Sequence, residues 1–166
     1  MIRSARVWAL AALVVSTSAA AHSAAHEHGR SRMQVAIDTD AIALEWRIPM
    51  GDVAGFEGQV STTEQQTRLD SAYERLRASS AAITLEGAGE CQVGPVETRL
   101  DGPADHPDIL LSVQWTCSSS TALSAIVFDP WTAVAGHERI TVEWLSASGQ
   151  GREEWMPPTT RLPLTR

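Results

Sequence analysis

The chain has 166 residues, with 13 arginines, no lysine, 20 acidic residues and a formal net charge of −7. That length suits one domain. An acidic chain repels a phosphate backbone, so nucleic acid is excluded as the expected partner.

The first 25 residues read as an export signal. Arg3 and Arg6 give a positive start, Val7 to Val15 is an unbroken apolar run, and the small residues STSAAAHSAA follow. This is the charged, apolar and cleavable order of a signal peptide. The small-residue rule places the cut after Ala21 or after Ala25. Nine apolar residues are too few to anchor a chain in a bilayer. No other long apolar run occurs, so the mature chain is expected to have no membrane span. Loss of Arg3 and Arg6 takes the charge from −7 to −9. Cys91 and Cys117 remain in an exported chain, and an oxidising compartment favours their pairing.

Beyond the leader, residues 26–166 read as one α+β domain, mainly antiparallel sheet with one main amphipathic helix packed on it. Met33, Val35 and Ile37 alternate with polar or small residues, Asp38-Thr39-Asp40 turns the chain, and Ile42, Leu44, Trp46 and Ile48 alternate again. That pattern is a hairpin with one apolar face, ended by Pro49. Ser61 and Glu64 have capping-box spacing. The following QQTRLDSAYERLRAS carries Leu69, Tyr73 or Ala72, and Leu76 on one helical stripe. Ile83 and Leu85 form a short strand, and Cys91, Val93 and Val96 another. After the loop DGPADHPD, residues Ile109, Leu111, Val113, Trp115 and Cys117 share one face of the clearest strand. Cys117 thus faces the core side, where Cys91 can meet it. Strands follow at Leu123–Phe128 and Ile140–Trp144, and Gly149-Gln150-Gly151 turns the chain back through Glu153 and Trp155. One helix among about eight hairpin-linked strands gives the α+β class.

The chemistry-bearing residues are few. His26-Glu27-His28 sets two imidazoles around a carboxylate, a donor set suited to zinc. If the cut follows Ala25, the free amine, two amides and His28 form a square-planar set that suits copper or nickel. His106 lies between Asp105 and Asp108 in a loop, a second small donor group. Glu57, in GFEG, and Asp52, in MGDV, follow the first hairpin and are candidate ligands or supports for them. His137, in AGHERI, reads as a turn residue. Neither a Gly-x-Ser-x-Gly elbow nor a His-Glu-x-x-His helix nor a phosphate loop occurs, so an enzyme is not expected.

The ordered set of HEHG after a leader, GDVAGFEG, a Glu/Gln-rich helix, GECQV, an H-P-D loop, QWTC and a late GQG resembles the periplasmic zinc-uptake proteins of the ZrgA type. The resemblance runs over nearly all the mature chain. His26, Glu27, His28 and Gly29 match the family's opening H-E-H-G. Gly55, Phe56 and Glu57 match its G-F-E-H, with Gly58 standing in place of the histidine. The family's long His/Asp-rich loop between the cysteines is shortened here to DGPADHPD. The resemblance implies a non-enzymatic periplasmic binder of zinc or another divalent metal that assists an inner-membrane zinc import system. The competing readings are an envelope structural or interaction protein that no longer binds metal, and a small zinc hydrolase.

Overall fold

The alternation in the first hairpin is realised residue by residue. In the computed structural model, which describes residues 28–164, β1 (Arg30–Ile37) and β2 (Ala41–Pro49) run antiparallel, with Met33 opposite Trp46 and Val35 opposite Leu44. The leader, His26 and Glu27 lie outside the described residues. β2 pairs along its whole length with β6 (Asp108–Cys117), the long strand expected from its apolar alternation. Two short strands share the far side of β6: β4 (Cys91–Val93) opposite its end, and β5 (Glu97–Asp101) opposite its beginning. On the other side β1 pairs with β8 (Arg139–Ser146), which pairs in turn with β9 (Gly149–Trp155). The β1–β8 ladder is parallel and every other ladder is antiparallel.

One face of this seven-stranded sheet carries the core. Ile42, Leu44, Trp46 and Ile48 from β2 meet Ile109, Leu111 and Val113 from β6 and Ile140 and Val142 from β8. A period of two puts all of them on the same side. Burying each such side chain contributes about 1.5–3 kcal/mol. The opposite face is mostly polar; Leu145 lies half-exposed on it, and its buried apolar residue is Leu110. The register sets Leu110 between Arg47 and Arg99, both of which pair with Asp101. The aliphatic stems of two such arginines can shield an apolar residue while their charged heads stay in water.

The core is closed by a helix and a second sheet. The main helix, α2 (Thr63–Ser80), buries Leu69, Ala72 and Leu76, the expected stripe; Ala72 is the buried member and Tyr73 sits half-buried beside it. Its capping box lies one residue later than the spacing suggested, with Thr62 accepting from the Gln65 amide and Gln65 reaching back. A three-stranded sheet of β10 (Arg161–Pro163), β7 (Ala125–Val127) and β3 (Thr84–Glu86) adds Ile126 and Leu162, and Phe128 beyond β7 meets Trp46 edge-on at 5.5 Å. The Trp46 indole N–H donates to the buried Ser31 hydroxyl at 2.9 Å, so this central tryptophan leaves no unpaired donor.

The disulfide expected from compartment is present. Cys91 and Cys117 are directly opposed across β4 and β6 and bonded. Closing a loop with a separation of 26 residues stabilises by about 3–4 kcal/mol in the chain-entropy model. Among the described residues no helix is long and apolar enough to cross a membrane.

Candidate metal site

At the end of the large sheet opposite the disulfide, four strand ends come together: the starts of β1, β6 and β8 and the close of β2. The parallel β1–β8 pairing does the decisive work. The Gly29 carbonyl accepts from the Glu138 and Arg139 amides at 2.8 and 3.1 Å, which brings His28 and His137 to the same corner although they are far apart in the chain. Gly29 itself has φ 75°, a left-handed conformation that a residue with a Cβ enters at a cost.

β2 leads directly into a short helix that the sequence pattern did not reveal, α1 (Met50–Ala54). Pro49 starts it, and Gly55, at φ 73°, ends it in the left-handed conformation typical of a helix C-terminus. Arg75 of α2 donates to the Val53 carbonyl, which would otherwise lack a helical partner. The Met50 amide donates to the Pro107 carbonyl at 3.1 Å and ties α1 to the His106 loop. Asp52 on α1 and Glu57 just beyond it are therefore held between the two histidine-bearing corners.

The result is a chain of five alternating imidazoles and carboxylates. His137 Nε2 lies 3.7 Å from Asp52 Oδ2. Asp52 Oδ1 contacts His28 Nδ1 at 2.9 Å, and Asp52 Oδ2 accepts from the Gly29 amide at 2.9 Å. His28 Nε2 is 3.5 Å from Glu57 Oε1, and Glu57 Oε2 is 3.4 Å from His106 Nδ1. Only the contacts of Asp52 with His28 and Gly29 are hydrogen bonds; the other three separations exceed the usual N–H···O range of about 2.7–3.2 Å. Among the described residues no three of these groups already surround one common point. Glu57 offers a different oxygen to each of its histidines.

Exposure grades along this chain. The side chains of His28, His106 and Glu57 are 71%, 51% and 42% exposed, whereas Asp52 and His137 are 9% and 1% exposed. The electrostatics follow. The hydrogen bond and charge of Asp52 raise the His28 pKa above its ordinary 6.5, with Glu57 adding to the effect. Burial lowers that of His137, partly opposed by Asp52. The Nε2 of His137 is buried without a hydrogen-bond partner. A small cleft of about 10 Å³ lies between Glu57, His106, Pro107 and the Pro49–Gly51 segment. Gly51 leaves room for Glu57: a Cβ on it would stand 3.0–3.1 Å from the Cγ and Oε1 atoms of Glu57.

Of the sequence candidates, His28, Glu57 and His106 are brought together. His26 and Glu27 lie outside the described residues, and Asp105 is exposed on the His106 loop without joining the network among the described residues. Asp52, considered as a ligand or support, sits at the centre. His137, read as a turn residue, does follow a turn, but its side chain is buried against the site. A histidine directly before an alternating strand carries no local mark of this; the β1–β8 pairing creates it.

No curated protein matches the chain. The family model described as "ZrgA family zinc uptake protein" matches residues 25–164, from the opening HEHG through the last strand. The match spans the described domain, every strand and both helices, and so the chain belongs to the ZrgA family of zinc uptake proteins.

Proposed function

We propose that this chain is a non-enzymatic periplasmic zinc-binding protein, exported by its leader, which collects the ion for an inner-membrane zinc import system. The observation that carries this reading is the placement of Glu57 between two imidazole nitrogens at 3.5 and 3.4 Å. With Zn–N and Zn–O bonds of about 2.0–2.2 Å, neighbouring ligand atoms of a tetrahedral zinc stand about 3.4 Å apart. The spacing is too long for hydrogen bonding and suited to a shared ion. The proposed ligand set is His28 Nε2, Glu57 and His106 Nδ1, with the Glu57 carboxylate turning to meet the ion. Asp52 then accepts the His28 Nδ1–H and fixes the ring's tautomer, the usual office of a carboxylate behind a metal-bound histidine. Family membership and the donor chemistry support zinc as cargo. His26 and Glu27, two positions upstream of this set, complete the proposed ligand pool, with Asp105 at its margin.

Calorimetric zinc titration of tag-free protein tests the reading. The parent should bind zinc, and the paired change Glu57→Ala with His106→Ala should weaken binding by more than about 100-fold, beyond the roughly 10–100-fold expected from losing an outer-shell partner alone. A double variant that matches the parent in both affinity and rate of zinc uptake would refute this site. A parent that takes up no zinc would favour an envelope interaction protein instead.

A further inference from the structure

The network extends inward past the atoms needed to hold one exposed ion. The unpartnered Nε2 of His137, on a side chain 1% exposed, faces Asp52 Oδ2 at 3.7 Å. A buried nitrogen with a lone pair or proton and no hydrogen bond is costly to keep. That separation is too long for a hydrogen bond and close to the spacing of two ligand atoms on one zinc, about 3.4 Å.

His28 lies between this inner pair and the outer one. Its Nδ1 meets Asp52 at 2.9 Å and its Nε2 faces Glu57 at 3.5 Å. A neutral imidazole carries one proton, so only one of its nitrogens ligates at a time. When Nε2 holds the ion with Glu57 and His106, the Nδ1–H donates to Asp52. When Nδ1 holds the ion with Asp52 and His137, the proton resides on Nε2 and faces Glu57. In the outer arrangement Asp52 receives the ring N–H; in the inner one the N–H points toward Glu57, 3.5 Å away. The two arrangements differ in exposure: 71%, 42% and 51% for His28, Glu57 and His106, against 9% and 1% for Asp52 and His137.

We infer that the zinc site has two stations sharing His28: an outer capture station with Glu57 and His106, and an inner retention station with Asp52 and His137. This rests on the metal-binding reading above. The ion enters where ligands are exposed, and it is retained where they are buried. Because His28 is common to both, one ion occupies the pair at a time. His137 acts as a ligand of the retained ion.

The test separates capture from release. Zinc-loaded protein is mixed with excess chelator in a stopped-flow instrument, and association is measured separately with zinc alone. His137→Gln should speed release by more than about 100-fold, beyond what loss of a supporting partner alone produces, with little change in the association rate. His137→Asn should do the same, which guards against a defect particular to one replacement. Melting of both metal-free variants checks that the fold is intact. Glu57→Gln should chiefly slow association. If the parent binds zinc but neither inner variant changes its release, the two-station arrangement is wrong and the simpler outer site stands. If the parent binds no zinc, the metal reading itself fails.

Discussion

The two ends of the large sheet are held by different means. At one end a disulfide joins Cys91 to Cys117, and the Asp38–Asp40 turn is laced to the 117–120 segment through the Cys117 and Ser120 amides and the Ser120 hydroxyl. At the other end no covalent bond closes the structure. His28, Asp52, Glu57, His106 and His137 meet there through contacts that mostly exceed hydrogen-bond length. A covalent staple acts mainly by restricting the unfolded chain and leaves ligand geometry alone. At the ligand end, contacts among the exposed members, His28, Glu57 and His106, add little stability, since exposed pairs are worth about 0–1 kcal/mol. Stability and ligand chemistry are thus assigned to opposite ends, so a change at one should leave the other's readout largely intact.

The largest expected effect is at the stapled end. Cys117→Ser together with Cys91→Ser should destabilise the fold by about 2–5 kcal/mol, seen as a lower melting temperature and denaturant midpoint. Zinc affinity of the still-folded variant at low temperature should stay close to that of the parent. A large loss of affinity in folded protein would show that the two ends are coupled.

At the ligand end, His28→Ala removes the residue on which both carboxylates converge. It should weaken zinc binding on the order of 100-fold, about 2.7 kcal/mol, while the melting temperature of metal-free protein moves little, because the side chain is exposed. Isothermal titration beside a thermal melt measures both. An equal fall in metal-free stability would mean that His28 holds the corner together rather than the ion.

Proton competition gives a smaller and graded effect. Zinc needs neutral imidazole, and Asp52 raises the His28 pKa, so protons compete for this ring at pH values above its ordinary 6.5. Burial lowers the His137 pKa, so that ring stays neutral to a lower pH. Affinity should begin to fall while the pH is still above 6.5 and should continue falling as it is lowered. Removing the raising influence with Asp52→Asn should move the onset to lower pH, whatever it does to affinity at high pH. Titrations across the range would read the onset; an onset well below 6.5 in the parent would count against His28 as a ligand.

Gly51→Ala should have the smallest effect. The new Cβ would press on the far end of the Glu57 side chain at 3.0–3.1 Å, which a flexible carboxylate can partly avoid. Zinc affinity should drop a few-fold, while replacing a helical glycine by alanine favours the fold by up to about 1 kcal/mol. A variant both more stable and weaker in binding would sharpen the contrast between the two ends.

Periodicity alone determined the hairpin of β1 and β2, the stripe of α2, the long β6 strand and the face on which Cys117 lies, because each depends on neighbours two, three or four residues away. The cysteine pairing was expected from two thiols in a chain whose opening reads as an export signal. Donor chemistry and family pattern singled out His28, Glu57 and His106, which do meet. Tertiary structure alone decided the rest. α1 has only five residues, too short for a periodic signal, yet it places Asp52 under His28. The parallel β1–β8 ladder joins residues more than 100 positions apart, and no local pattern encodes which strand pairs with which over that distance. That pairing turns His137 from a residue at the end of a turn into the buried end of the site, because a side chain's role here depends on what the sheet brings against it.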